Sequence, residues 1–191
     1  MSDHRLVQVE LSTLRPALVP LSDEHLELEV ELDSDPDVMR YLGNGRPRTR
    51  EAVDRVHRDR IALATRAPGF GFWVGFVDAT FVGWWNLRPQ DGPDLAGAGR
   101  HGSLGYRLLP RYWRRGLASE GAREVIRYGF QDLGLSRIVA ETMAVNVASR
   151  ATMSSIGMAH VRTFHVGWDE PIPGTEHGEV EYAVTRGEWL A

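Results

Sequence analysis

The chain has 191 residues, 42% hydrophobic and 25% charged, which is typical of a globular domain and excludes a disordered, collagen-like or coiled-coil protein. Its length fits one domain spanning residues 1–191. The absence of cysteine excludes disulfides, thiolate metal sites and a cysteine nucleophile. No run approaches the ~18 apolar residues of a membrane span, and the first residues do not resemble a secretion signal. We therefore expect a cytoplasmic protein with no membrane partner.

All 22 basic residues are arginine, and they are unevenly distributed. Residues 38–162 contain nineteen arginines and ten acids, whereas residues 1–37 contain two arginines and ten acids. Arginine binds phosphate through a planar fork of donors, so the middle of the chain could bind a phosphorylated ligand. A solvated surface with scattered ion pairs would explain the same asymmetry. The absence of lysine excludes Schiff-base chemistry and a Walker phosphate loop.

The first half of the chain predicts two helices and an aromatic hairpin. Alternation over residues 7–11 predicts a strand, Ser22 predicts the start of a helix, and a second helix follows Thr49. Residues 70–77 and 81–87 predict two strands joined by a turn at residues 78–80. Residues 90–102 then predict a polar loop rich in glycine and proline.

The second half alternates strands and helices. Strands are predicted at residues 103–109, 137–142, 158–166 and 180–185. Helical periodicity is strongest from Gly116 to residue 133, and a shorter helix is predicted at 147–156. With no internal repeat and no linker, the pattern predicts one mixed α/β domain.

An arginine-rich turn before the longest helix carries the clearest chemistry. Free N–H groups at a helix N-terminus bind anions, and small residues let an anion approach them closely. The segment therefore predicts a pyrophosphate cradle, although a tight strand-to-helix turn with incidental arginines would have the same sequence. The cradle residues are Arg114, Arg115, Gly116, Leu117, Ala118 and Ser119.

This segment resembles the coenzyme A loop of the GNAT superfamily of N-acetyltransferases. The motif is Trp113-x-x-Gly116-x-Ala118, and it follows Gly105-Tyr106. The branch it resembles most contains the RimJ and RimL ribosomal-protein N-terminal acetyltransferases. Further matches at residues 35–42, 146–158 and 185–189 extend the resemblance over nearly the whole chain.

The resemblance implies an α/β (α+β) fold with a mixed, mostly antiparallel sheet of about seven strands flanked by about four helices. Strands 103–109 and 137–142 would be parallel and splay apart to admit the pantetheine arm. Backbone N–H groups near Leu108 and Leu109 would then stabilise the oxyanion as an amine attacks acetyl-CoA. The implied reaction is direct transfer of acetyl from acetyl-CoA to a primary amine, without a metal. The seven histidines, which lack any ligand spacing, agree with that absence of a metal.

Four residues are candidates for the chemical steps. Glu141 occupies a position used for the general base in related enzymes, and His101 is the alternative because its ordinary pKa suits that role. Ser149 could hydrogen-bond the leaving sulfur, and Asn146 would cap the following helix and meet the pantetheine amides. Glu141 could equally be a surface-pairing glutamate on a strand, and Ser149 could be an ordinary hydroxyl at a helix N-terminus. Arg150, in the motif Asn146-x-x-Ser149-Arg150, is assigned to coenzyme binding.

The acceptor is not specified by the sequence. Trp84 and Trp85 could line its pocket, although core packing explains aromatic strand residues more often. The resemblance implies that the acidic first helix borders the acceptor. That arrangement favours a cationic amine such as a peptide N-terminus, an amino sugar or a polyamine, and a homodimer is left open. A non-catalytic acyl-CoA sensor is the alternative function. A nucleic-acid partner is disfavoured by the net charge of −4.

Overall fold

A computed structural model describes residues 8–90 and 100–191, and these residues form a mixed sheet of eight strands. The strand order is β1-β2-β3-β4-β5-β6-β8-β7, and every neighbouring pair is antiparallel except β5 and β6. The strands are β1 (Leu11–Ser12), β2 (Ala17–Pro20), β3 (Gly71–Val77), β4 (Thr80–Pro89), β5 (His101–Leu108), β6 (Arg137–Met143), β7 (Ala159–Phe164) and β8 (Glu179–Thr185).

Six α-helices occur in the described residues, compared with the expected four or so. They are α1 (Leu26–Asp33), α2 (Pro36–Met39), α3 (Arg50–Arg66), α4 (Leu117–Gln131), α5 (Val147–Ser155) and α6 (Arg186–Leu190). The two unpredicted helices, α2 and α6, are short and start at local caps. Asp35 accepts hydrogen bonds from the first turn of α2, and Thr185 forms a capping box with Glu188 at α6. None of the described helices is long and apolar enough to cross a bilayer.

The predicted parallel strand pair is confirmed, and its pairing is short. Only His101 to Ser103 of β5 pair with Arg137 to Val139 of β6, although both strands continue. Beyond Ser103 each strand pairs only with its outer neighbour, β4 or β8. The sheet therefore has an opening between the carboxyl ends of β5 and β6.

Two apolar layers cover the two faces of the sheet. On one face α4 packs on Trp85, whose Nε1–H donates to the Ala118 carbonyl at 3.1 Å. A Cβ on Gly121 would lie 2.5 Å from that indole, so only glycine lets α4 pack this closely. On the other face α1 and α3 pack on Trp84 and Phe72. Each large apolar side chain buried in these layers contributes roughly 1.5–3 kcal/mol.

The N-terminal prediction is partly wrong. Of the strand expected at residues 7–11, only Leu11 lies in β1, and residue 7 is outside the described residues. The preceding segment contacts β3 through side chains instead. Gln8 Nε2–H donates to the Phe72 carbonyl, and Trp73 Nε1–H donates to the Val9 carbonyl, both at 2.7 Å.

The β3–β4 hairpin is confirmed with a tighter turn than expected. Asp78 and Ala79 have φ values of 48° and 60°, and Thr80 already belongs to β4. Two left-handed residues fit the twist of a two-residue hairpin. Most of the predicted loop at 90–102 lies outside the described residues, since the description stops at Gln90 and resumes at Arg100.

Candidate active site

A groove of about 1540 Å³ lies where β5 and β6 separate. It extends from the start of α4, past the start of α5, to the side of α3 that faces the sheet. The structure brings ten of the predicted site residues to this groove: Trp84, Leu108, Arg114, Gly116, Leu117, Ala118, Ser119, Glu141, Asn146 and Ser149. Five others lie outside its lining: Trp85, His101, Leu109, Arg115 and Arg150.

The start of α4 has the geometry expected of an anion cradle. Gly116 is the N-cap residue with φ of 76°, and Arg114 just before it is also left-handed, with φ of 58°. The first N–H groups of a helix have no partner within the helix. Because Leu117, Ala118 and Ser119 line the groove, these donors are available to an anion there.

Arg15 anchors the cradle from the β1–β2 connection. Its guanidinium forms an ion pair with Glu120 at 2.6 Å and donates to the Arg115 carbonyl at 2.8 Å. Burial opposes ionisation of Glu120, but hydrogen bonds from Thr13 and Arg15 outweigh it and lower the pKa of the carboxyl. The Arg115 guanidinium instead lies over the Tyr112 ring. Of the two predicted arginines, the structure places only Arg114 at the groove.

Backbone hydrogen bonds separate the roles expected of Leu108 and Leu109. The Leu109 N–H donates to the Val82 carbonyl at 3.0 Å, so it is not free, contrary to expectation. In an antiparallel ladder the neighbouring pair, Gly83 and Leu108, is then non-hydrogen-bonded. The Leu108 N–H therefore points away from β4, toward the opening. Trp113 Nε1–H donates to the Leu108 carbonyl at 2.6 Å and fixes the orientation of this segment.

Two hydroxyl groups meet at the opening. Asn146 caps α5 as expected, because its Oδ1 accepts from the Ser149 N–H at 3.2 Å while its Nδ2 donates to Thr142 Oγ1 at 3.0 Å. The Tyr106 hydroxyl on β5 lies 3.2 Å from Ser149 Oγ and donates to the Ser149 carbonyl at 3.2 Å. Burial raises the pKa of Tyr106, so this hydroxyl is protonated at neutral pH.

Of the two base candidates, Glu141 lies at the opening in the sheet and His101 lies where β5 and β6 are still paired. Glu141 lines the groove, and burial together with repulsion from Glu181 raises the pKa of its carboxyl, while Arg162 and Arg88 oppose the rise. His101 is the first residue of β5 and pairs with Arg137, at the closed end of the parallel pair. Seven residues of strand, roughly 23 Å, separate it from Leu108.

Arg150 has a structural role in the described residues. Its guanidinium donates to the Ala144 carbonyl at 2.9 Å and to the Tyr182 hydroxyl at 3.5 Å. These bonds hold the turn that precedes α5. The assignment of Arg150 to coenzyme binding is therefore not supported by its position.

The acceptor candidates Trp84 and Trp85 point to opposite faces, because side chains alternate along a strand. Trp85 is fully buried under α4 and belongs to the core. Trp84 lines the groove with Arg60 and Arg107 each 5.0 Å from its ring. Of the pair, only Trp84 lines the groove.

A buried carboxylate fixes the arginines beside Trp84. Asp33 is 0% exposed and accepts from Arg107 at 2.7 Å and from Arg48 at 3.1 Å. Burial, partly offset by Asp33, lowers the pKa of Arg107 to about 10, so it is cationic at neutral pH. The network joins α1 to β5 and pairs the arginines on this side of the groove with buried carboxylates.

Residues 15–159 match the acetyltransferase (GNAT) domain family. The chain belongs to the GNAT acetyltransferase family. Within the described residues of this GNAT protein, no group of three or more histidines and carboxylates is arranged to hold a metal ion.

Relatives of this GNAT protein include named acetyltransferases. It is 47% identical over 186 residues to the FsC-acetyl coenzyme A-N(2)-transacetylase of Aspergillus fumigatus, covering 96% of this chain and 79% of the relative. It is therefore an acetyl-CoA-dependent N-acetyltransferase. Solved GNAT structures share the fold. A RimL ribosomal-protein acetyltransferase bound to coenzyme A has a TM-score of 0.77 at 13% identity, covering 93% of this chain and 98% of that one. The spermidine N-acetyltransferase of Vibrio cholerae, with CoA and spermine, has a TM-score of 0.74 at 13% identity, covering 93% and 99%.

Tyr106 and Asn86 are among the groove residues of this GNAT enzyme that the sequence did not assign to the site. Tyr106 lies within the Gly105-Tyr106 part of the recognised motif. It is directly opposite Trp85 in the β4–β5 ladder, so its side chain lies on the face of the sheet that α4 covers. Asn86 is two positions after Trp84 on β4, so the two side chains lie on the same face of the sheet. A polar residue within an aromatic strand is the sequence feature that singles it out.

Proposed function

We propose that this GNAT enzyme acetylates an amine on carbon 2 of its acceptor, using acetyl-CoA. One observation carries the proposal: a continuous groove joins the anion cradle at the start of α4 to Glu141 and Ser149. The N(2) in the name of the Aspergillus fumigatus relative supports this class of amine.

The coenzyme fits residues on the α4 side of the sheet. The pyrophosphate would be held by N–H groups of residues 116–119 and by Arg114, since these line the groove at a helix N-terminus. The pantetheine arm would follow the opening between β5 and β6, beside Asn146. When bound, acetyl-CoA supplies an activated acetyl thioester.

Glu141 is the general base in this proposal. An amine attacks only when neutral, and the raised pKa of Glu141 brings it closer to neutrality, where proton transfer is efficient. The proton leaves the amine nitrogen for the Glu141 carboxylate, directly or through one water. The Leu108 N–H, directed into the opening, stabilises the negative oxygen that develops on the acetyl carbonyl.

Ser149 and Tyr106 supply the proton for the leaving sulfur. Ser149 Oγ donates toward the thiolate, and the Tyr106 hydroxyl, 3.2 Å away, can replace that proton. The resemblance to the GNAT superfamily implies a general-acid tyrosine seven residues after Asn146, but that position is Met153 here, which cannot donate. The hydroxyl of β5 takes the place of the missing one on α5.

The proposal also covers the branch of the GNAT superfamily, the limits of the acetyltransferase domain and the oligomeric state. The RimL likeness at 13% identity concerns the fold, so a RimJ/RimL-type protein N-terminus is retained only as one acceptor class. The acetyltransferase domain would span residues 1–191, because the described sheet runs from Leu11 to Thr185. A homodimer is compatible with this arrangement.

Coenzyme A release, followed with a thiol reagent, tests the function. The wild-type protein should release coenzyme A from acetyl-CoA only when an amine acceptor is added, and mass spectrometry should show the acceptor heavier by one acetyl group. Calorimetry should show binding of acetyl-CoA without the acceptor. Binding without transfer to any amine in a panel of α-amino amides, 2-amino sugars and polyamines would overturn the proposal.

A further inference from the structure

Two buried polar atoms beside the groove have no hydrogen-bond partner within residues 8–90 and 100–191. They are Nε1 of Trp84 and Oδ1 of Asn86, both on β4. Each residue is 4% exposed, and each lines the groove. Buried polar groups are nearly always hydrogen-bonded in native proteins, so an unpaired donor and an unpaired acceptor at a ligand groove indicate bonds that a ligand completes.

The two residues lie on one face of β4 because they are two positions apart, roughly 6.8 Å along the strand. Arg107 and Gly105 of β5 lie directly opposite them. A Cβ on Gly105 would lie 2.9 Å from Asn86 Nδ2 and 3.1 Å from Oδ1, so the amide occupies space that a glycine leaves open. The pair is thus on the acceptor side of the sheet.

We propose that Trp84 and Asn86 recognise an acceptor in which the reactive amine lies beside a carbonyl oxygen, as in an α-amino acyl group. Asn86 Oδ1 accepts a hydrogen from the amine, which directs the nitrogen lone pair away from β4. Trp84 Nε1–H donates to the neighbouring carbonyl oxygen. This inference rests on the proposed function and specifies its substrate class.

The unpaired donor on Trp84 favours the same class over a polyamine, because a polyamine has no oxygen to accept from Trp84 Nε1–H. Arg60 and Arg107, whose guanidinium carbons are each 5.0 Å from the Trp84 ring, are paired with the buried carboxylates of Glu29 and Asp33. The preference for a carbonyl therefore rests on the hydrogen bond from Trp84.

Two matched probes test the recognition: L-alaninamide has a carbonyl beside its amine, and sec-butylamine has a methylene there. The measured quantity is the ratio of kcat/KM for alaninamide to kcat/KM for sec-butylamine. Trp84→Phe keeps an aromatic ring beside the two arginines but removes the N–H. We expect it to lower this ratio about fivefold to tenfold, as the loss of one hydrogen bond does. Comparing one probe pair across variants cancels the difference in pKa between the two amines.

Substitution of Asn86 should change kcat/KM in a different way from substitution of Trp84. Asn86→Ala should lower kcat/KM for both probes by a similar factor, because both have the amine, and it should leave the Kd for acetyl-CoA unchanged. Asn86→Asp, which keeps an oxygen at this position, should retain more activity than Asn86→Ala. Gln90→Ala is the matched control, since Gln90 Oε1 is also buried and unpaired among the described residues but lies outside the groove. Thermal melting of each variant identifies any loss of folding.

The outcomes separate the two proposals. Acetylation of neither probe by the wild type, together with none of the wider amine panel, would overturn the proposed function itself. Acetylation of both probes with the same ratio in the wild type and Trp84→Phe would overturn only the recognition of the carbonyl. Full activity of Asn86→Ala would overturn only the contact with the amine.

Discussion

The Tyr106 hydroxyl of β5 and Ser149 Oγ of α5 lie 3.2 Å apart across the opening in the sheet. Two hydroxyls at this distance can pass a proton from one to the other. Because Tyr106 and Ser149 both line the groove, the pair would place two proton donors beside the proposed position of the leaving sulfur. We therefore predict that the two residues act as one unit.

Ser149→Ala should lower kcat by about 10²–10⁴-fold, the usual contribution of a general acid. The KM for acetyl-CoA should change little, because the proton is needed mainly in the transition state. Tyr106→Phe should have a smaller effect, since Ser149 can still donate once. Steady-state kinetics of both single variants and the double variant will measure their coupling, and additive losses in the double variant would contradict a shared unit.

Glu141→Gln should abolish the acid limb of the pH–rate profile. The base acts when deprotonated, so activity of the wild type should rise with pH through a pKa above the ordinary glutamate value, in the direction set by burial and Glu181. Glutamine cannot accept the proton at any pH, and we expect a loss of about 10²–10⁴-fold in kcat. The measurement is kcat at saturating amine across pH 5–9, because kcat/KM would also report the titration of the free amine.

His101→Gln is the comparison for the base. The structure places His101 at the closed end of β5, so this variant should keep the acid limb. A profile that flattens in His101→Gln but not in Glu141→Gln would reassign the base to the imidazole.

Arg114→Ala should weaken acetyl-CoA binding more than Arg115→Ala. A charge-assisted hydrogen bond contributes about 1.5–3 kcal/mol, which corresponds to roughly 10- to 150-fold in Kd. Only Arg114 lines the groove, while Arg115 lies over Tyr112. Calorimetry with coenzyme A measures both Kd values, and equal losses in the two variants would show that the cradle uses Arg115 as well.

Asp33→Asn should destabilise the fold by about 3–5 kcal/mol, the usual cost of removing one partner from a buried ion network. Its carboxylate is fully buried and binds Arg107 and Arg48. Asp54→Asn is the control, because Asp54 pairs with Arg58 on the surface of α3 and should matter by less than about 1 kcal/mol. Urea unfolding of both variants gives the comparison, and similar midpoints would contradict a structural role for the network.

Helices and turns that depend on residues close together in the chain could be predicted from the sequence. Helix α4 follows from its apolar periodicity and from Gly116, and the opening between β5 and β6 follows from the resemblance. Helix α6 was predictable as well, since Thr185 and Glu188 have the spacing of a capping box.

The partner of a charged side chain depends on the tertiary structure and could not be predicted from local sequence patterns. Glu120 binds Arg15, which is 105 positions away, although Arg123 on its own helix has the right spacing for a pair. Arg123 instead donates to the Ser155 carbonyl at 2.7 Å. Any arginine suits any carboxylate in a chain with 22 arginines, so composition alone does not select the partner.

Because the pairing of β5 with β6 ends at Ser103, the sheet has a hole through it between these two strands. The cradle at α4 lies on one face, and Trp84 with Arg107 lies on the other. Donor and acceptor would then enter from opposite faces, so neither blocks the entry of the other, and both can be bound when the acetyl group moves. A single molecule that joins the sulfur of coenzyme A to an α-amino amide would pass through the opening between β5 and β6. Its affinity should exceed that of either half, because once one half is bound the other binds intramolecularly.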